Sequence, residues 1–233
     1  MNNENMQQEI NSFKGVFVIK NFLSKADIRN VEQLSEVGEW NLSDRNNKQN
    51  SDGTFYKWMP LLDEYKKEFK TRDFQILLDL HLKINDLLNE QITKIINYKG
   101  FYLKNCGIFS SNIETPYYAD NAYPVDSNGE TIILGYPAAQ GYSCIKNLED
   151  IKEWKIREGF EDSRYSCALF LNEDVDGGGL VFPEHQIEIK PERNKLIIFP
   201  STPDYIHGER PVIKGIKNCY CAWYGSKSAD FND

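Results

Sequence analysis

YSCALFLNEDVDGGGLVFPEHQIEIKPERNKLIIFPSTPDYIHGERPVIKGIKNCYCAWYG, residues 165–225, decides how this chain folds. Short runs of aromatic and branched residues (SCALFLNE, GLVFPEHQIEIKP, KLIIFP, KNCYCAWYG) are separated by Gly, Pro and Asp clusters. That texture belongs to strands joined by tight turns. YKGFYLKNCGIFS, beginning at Tyr98, adds another run of the same kind. The set predicts an antiparallel sandwich or barrel of the jelly-roll type. In its last strand Lys217, Cys219, Cys221 and Trp223 fall on one face, because side chains alternate with period two. If Trp223 faces the core, so does Lys217, and an inward ammonium needs an anionic partner or pays several kcal/mol for burial. The alternative is a strand end whose lysine snorkels to water.

Outward from this region the texture changes. GVFVIKNFLS reads as a strand and a turn, with Ser24 as N-cap of a helix through about Val37 that buries Ala26, Ile28, Val31 and Leu34. NLSDRNNKQNSDG, residues 41–53, reads as a loop. From Thr71 to about Ile96, Leu77, Leu80, Ile84, Leu87 or Leu88, and Ile95 form the stripe of a long helix lying on a core. His81, on that helix, reads as an ordinary core-edge histidine. Residues 121–163 interrupt the strand rhythm, first rich in Gly, Pro and Tyr and then charged, and NLEDIKEWKIREGFED within them predicts a short helix. An insertion of this kind is expected at the mouth of a barrel, where loops carry specificity. The fold expected is mostly β with N-terminal helices: a frayed tail at 1–12, then one domain over 13–233 with helical support at 13–98, a jelly-roll core at 99–226 and the 121–163 insertion as a lid.

Composition narrows the functions. The chain has 233 residues and a net charge of -8 from 27 basic and 35 acidic side chains, the wrong sign for a surface that neutralises phosphates. No nucleic acid is expected as a partner. No apolar run approaches the roughly 20 residues that span a bilayer, and the first residues have no signal-peptide pattern, so no membrane partner and a cytoplasmic location are expected. Five cysteines, Cys106, Cys144, Cys167, Cys219 and Cys221, contain no C-x-x-C pair and read as buried or free thiols.

Three stretches carry a resemblance. YSCALFLNEDVDGGGLVF is similar to a strand, acidic turn and double-glycine hairpin, and IKPERNKLIIFPSTPDYIHGERPVIKGIKNCYCAWY to a distal-histidine and anchor segment. YADNA is similar to an H-A-D-N-C motif except at its first and last residues. All three belong to the 2-oxoglutarate and Fe(II)-dependent oxygenases of the prolyl hydroxylase superfamily, and most resemble leprecan-type prolyl 3-hydroxylases. GVFVIKNFLSKADI is similar to the strand and helix that open many such domains. The resemblance implies a double-stranded β-helix with iron and 2-oxoglutarate at its open end, and a dioxygenase that hydroxylates a C–H bond of a peptidyl prolyl, an amino acid or another small substrate. It places Asp120 and His207 as metal ligands and Lys217, ten residues after His207, as the anchor for the C5 carboxylate.

The motif's first histidine is replaced by Tyr118. A neutral imidazole donates a lone pair without changing the charge of the site, whereas a phenol of pKa about 10 must lose its proton to ligate well. Three readings stay open: Tyr118 ligates a metal, it hydrogen-bonds a metal-bound water, or the metal site is lost. Using Tyr117 instead would pair it with Ala119, which binds nothing. His185, on a hairpin that such enzymes do not use for metal, is a weak substitute ligand. The competing class is an oxygenase-fold binding protein that keeps the barrel without the reaction.

Overall fold

The computed structural model describes residues 9–36, 48–49, 55–60, 72–137 and 145–227. Side chains of residues 48–60 and most of 72–81, His81 included, lie outside that description, as do Cys144 and most of the loop read at 41–53.

In chain order the elements are β1 (Glu9–Phe13), β2 (Val16–Lys20), α1 (Lys25–Glu36), β3 (Lys48–Gln49), β4 (Phe55–Pro60), α2 (Arg72–Ile96), β5 (Phe101–Ser111), β6 (Thr115–Tyr118) and β7 (Ala122–Val125). They continue with β8 (Glu153–Ile156), β9 (Ser163–Phe170), β10 (Asp176–Gly177), β11 (Leu180–Phe182), β12 (Ile187–Ile189), β13 (Lys195–Pro200), β14 (His207–Glu209), β15 (Val212–Lys214) and β16 (Lys217–Ser226). An eight-stranded sheet runs β1-β2-β13-β9-β16-β5-β4-β3, and a four-stranded sheet runs β12-β11-β14-β6. The two sheets form the antiparallel jelly-roll core that the strand pattern predicts, the double-stranded β-helix that the resemblance implies.

Period-two alternation explains why the central strands of the large sheet are apolar on both faces. One face carries Ile19, Cys106, Ile108, Leu169, Leu196, Ile198, Tyr220, Ala222 and Tyr224 and packs on Ile28, Val31, Ile84, Leu88 and Ile92 of the two helices. The other face, with Val16, Val18, Phe170, Ile197, Phe199 and Cys219, meets Leu180, Phe182 and Ile189 of the small sheet. Ile84, Leu88 and Ile92 are at most 2 % exposed. Burial of each contributes roughly 1.5–3 kcal/mol, which holds α2 on the sheet more firmly than its propensity would.

Local caps and ties set the helical layer. The Ser24 Oγ accepts from the Asp27 amide at 3.1 Å and donates to Asp27 Oδ2 at 2.6 Å, and Lys83 of α2 bonds the same carboxylate at 2.7 Å. Asn194, just before β13, receives the Leu23 amide on Oδ1 at 2.7 Å and donates Nδ2 to the Leu23 carbonyl at 2.8 Å. One buried side chain thus ties the β2 to α1 turn to the barrel.

Two expectations change. Residues 9–12, read as frayed tail, belong to β1, which pairs with β2 from Glu9↔Lys20 to Phe13↔Val16 and forms a sheet edge. The helix expected in NLEDIKEWKIREGFED is a single 3-10 turn, Leu148–Asp150, followed by β8. The β8 strand pairs with β7 from Ala122↔Ile156 to Val125↔Glu153. Helix-forming side chains lose here to a partner strand and to the burial of Leu134 and Ile145, with Ile132, Ile151 and Trp154 beside them, on the outer side of the small sheet.

Candidate active site

The geometry of the candidate site starts from β6 and β14, which are antiparallel neighbours with Tyr118 opposite His207. Alternation sends Tyr117, 3 % exposed, into the outer cluster with Leu134, Val181 and Ile206. Tyr118 turns the other way and lays its ring against the His207 imidazole, centroids 4.4 Å apart at 56°. The two tyrosines therefore face opposite sides of β6. Just past β6, the Asn121 amide donates to the Ser201 carbonyl at 3.1 Å, which ties the turn carrying Asp120 to the end of β13.

The His207 side chain is 3 % exposed and walled by Phe182 and Phe199, with ring centroids at 5.6 and 4.7 Å. Its Nδ1 lies 2.9 Å from the Tyr205 carbonyl. A carbonyl can only accept, so Nδ1 carries the proton and Nε2 of the neutral ring holds a lone pair. That nitrogen faces Asp120 Oδ2 at 3.6 Å. Two acceptors so placed in a buried pocket call for a cation between them, a proton or a metal ion. The separation suits two donors bound at about 2.0–2.2 Å to one ion, and the Tyr205 carbonyl supplies the orienting contact that a metal-binding imidazole needs. Among the described residues no group of three or more His, Cys, Asp and Glu side chains comes together as a metal site, which leaves Tyr118 beside a two-donor pair.

Lys217 points inward, as the alternation of β16 requires. It is 2 % exposed, and its stem runs past Gly178, where an added Cβ would lie 3.4 Å from Lys217 Cδ and 3.2 Å from Val212 Cγ2. Gly178 has φ +66°, so the double-glycine turn supplies both the left-handed backbone and the room beside the lysine. The ammonium sits 2.6 Å from Glu209 Oε2, without hydrogen-bond alignment. Glu209 is the residue that sequence reasoning missed. The signal was present: Glu209 is two residues after His207 and shares its face, and the inward lysine demanded an anion.

Two thiols line the same interior. Cys221 Sγ lies 3.7 Å from Cys219 Sγ, and that contact, burial, and the carboxylates of Glu209 and Asp120 push the Cys221 thiol well above the ordinary thiol range. His185 is elsewhere, stacked on Tyr205 with centroids 4.7 Å apart and with Nε2 2.8 Å from the Asp204 carbonyl.

Residues 147–225 match the model of the 2OG-Fe(II) oxygenase superfamily. That C-terminal third of the chain is thus similar to the superfamily. The match includes His207 and Lys217 and stops short of Tyr118 and Asp120, whose place rests on the geometry above. Prolyl 3-hydroxylase 2 of Mus musculus is 29% identical over 87 residues, 35% of this chain and 12% of that protein. Prolyl 3-hydroxylase 1 of Homo sapiens has the same identity and the same coverage. The alignment thus spans about an eighth of the length of these curated relatives. Among solved structures, a prolyl hydroxylase from Trichoplax adhaerens, in complex with a hypoxia inducible factor peptide fragment, superposes with a TM-score of 0.55 at 15% identity, covering 91% of this chain and 84% of that one. The viral collagen prolyl hydroxylase of Paramecium Bursaria Chlorella virus-1, as its 2OG complex, gives 0.51 at 14% identity, covering 92% and 97%. At these identities the likeness shows the fold: a mostly β double-stranded β-helix. The family implies Fe(II) and 2-oxoglutarate as cofactors. No helix among the described residues is long and apolar enough to cross a membrane.

Proposed function

We propose that this chain is a 2-oxoglutarate- and Fe(II)-dependent oxygenase that hydroxylates a C–H bond, with a prolyl residue in a peptide as the substrate class the family match and the fold neighbours favour. The observation that carries the reading is the His207 Nε2 lone pair turned toward Asp120 Oδ2 at 3.6 Å inside a barrel that also holds an inward Lys217. When bound, the iron and the cosubstrate supply the oxidising chemistry, coupling decarboxylation of 2-oxoglutarate to succinate with hydroxylation of the substrate.

The protein's part is positional. Asp120 and His207 hold the metal, and Phe182 and Phe199 keep water from the imidazole. The Tyr205 carbonyl holds the Nδ1 proton, so Nε2 stays available. Lys217 holds the far carboxylate of the cosubstrate by a single charge-assisted contact. Tyr118 occupies the third position as a neutral phenol, because Asp120 and Glu209 already place two carboxylates in the cavity and a tyrosinate would add a third anion. The insertion at 121–163 frames the substrate side. Free thiols at Cys106, Cys167, Cys219 and Cys221 support a reducing, cytoplasmic setting.

A barrel that binds without reacting is the second reading, favoured by the missing first histidine and disfavoured by the family match. Succinate release from 2-oxoglutarate by purified protein with Fe(II) and a proline-rich peptide separates the two. Release that depends on the peptide, with a gain of one oxygen in the peptide mass, is expected. Absence of release under metal saturation overturns the oxygenase reading.

A further inference from the structure

The anion beside Lys217 belongs to the protein itself. Glu209 Oε2 stands 2.6 Å from the Lys217 ammonium, with the lysine side chain 2 % exposed and the glutamate 23 %. The lysine is therefore enclosed and the glutamate has a route to solvent. The backbone of Glu209 is pinned, its amide donating to Thr115 Oγ1 at 2.9 Å and its strand pairing with β11 and β6, so displacement would move only the side chain. Arg210, the next residue, turns its guanidinium to Glu188 at 2.9 Å.

We infer that Glu209 sets how strongly this barrel prefers a 2-oxo acid with two carboxylates over one with a single carboxylate, by competing with the ligand's distal carboxylate for Lys217. The inference rests on the oxygenase reading above and names a specificity residue within it. A ligand with a distal carboxylate must replace Glu209 at the ammonium, exchanging one buried ion pair for another at little net gain. A ligand without one leaves the Glu209–Lys217 pair intact and loses nothing. The usual advantage of the dicarboxylate is thereby reduced.

Calorimetric titration of the Mn(II)-loaded protein with 2-oxoglutarate and with pyruvate tests this. Glu209→Gln is expected to tighten 2-oxoglutarate by about tenfold while pyruvate changes by less than about twofold. In a Lys217→Met background the same substitution is expected to change neither. If Glu209→Gln folds poorly because Lys217 is left unpaired, Glu209→Asp, whose shorter arm withdraws the carboxylate, is expected to shift the ratio in the same direction. An unchanged or weakened 2-oxoglutarate affinity in Glu209→Gln, or an equal change for both acids, overturns the inference and leaves the oxygenase reading standing. Wild-type protein that takes up Mn(II) but binds neither acid overturns both.

Discussion

His207 Nε2 faces Asp120 Oδ2 across 3.6 Å with the imidazole proton held on the opposite nitrogen by the Tyr205 carbonyl. Both atoms are acceptors, so a cation between them would relieve the pair, and in the proposed site that cation is the metal ion. Asp120→Ala and His207→Ala are each expected to weaken Mn(II) binding more than about 100-fold, since each removes one of two protein donors outright. Calorimetry or Mn(II) paramagnetic resonance reads the loss. Retention of wild-type affinity by either variant would remove that residue from the site.

Tyr118 lies opposite His207 in the β6–β14 pair, at the place proposed above for a third group beside the metal. Tyr118→His places a neutral nitrogen donor there and is expected to tighten Mn(II) by about tenfold or more and to raise succinate release. Tyr118→Phe is expected to leave the Mn(II) affinity within about twofold, because a neutral phenol donates little to the ion. A tenfold weakening in the phenylalanine variant would identify the phenol as a ligand.

Asn194 is 3 % exposed and makes two hydrogen bonds to the Leu23 backbone from a φ of +64°. Asn194→Ala strands a buried amide and a buried carbonyl and puts a Cβ residue without a compensating bond in the left-handed region. The expected loss is about 2–4 kcal/mol of unfolding free energy. It is measured as a lower denaturant midpoint at unchanged slope. Asn194→Gly removes the strain but not the lost bonds, and is expected to fall between the two.

Burial pushes the Cys106 thiol up to about 12, and the buried Cys167 thiol also lies well above its ordinary value. Both are expected to resist iodoacetamide at pH 8 in the folded protein and to react fully in guanidinium chloride, as peptide mass analysis would show. The linkage has a definite sign. Between the unfolded thiol pKa near 9 and the folded value of about 12, the unfolded chain releases a proton that the folded chain retains, so stability declines as pH rises through that window. An alkaline unfolding profile that is flat from pH 9 to 12 would contradict this.

The amino-acid sequence by itself determined what depends on local periodicity. The 3.6-residue stripe of α2, the Ser24 cap and the alternation that turns Lys217, Cys219 and Cys221 to one side of β16 can be read along the chain, because each reflects neighbours a few residues away. Asp120, His207 and Lys217 were singled out differently, by the resemblance of the stretches that hold them to the oxygenase motifs. Pairing was not legible. Glu153–Ile156 has helix-forming neighbours yet becomes a strand because β7 offers it a partner, and Glu9–Phe13 becomes a sheet edge because β2 lies beside it. Only the tertiary structure decided which anion meets the buried lysine. Sequence reasoning required a negative charge opposite Lys217, and the fold brings Glu209 to it, since contacts between strands depend on register and closure of the barrel rather than on any local preference.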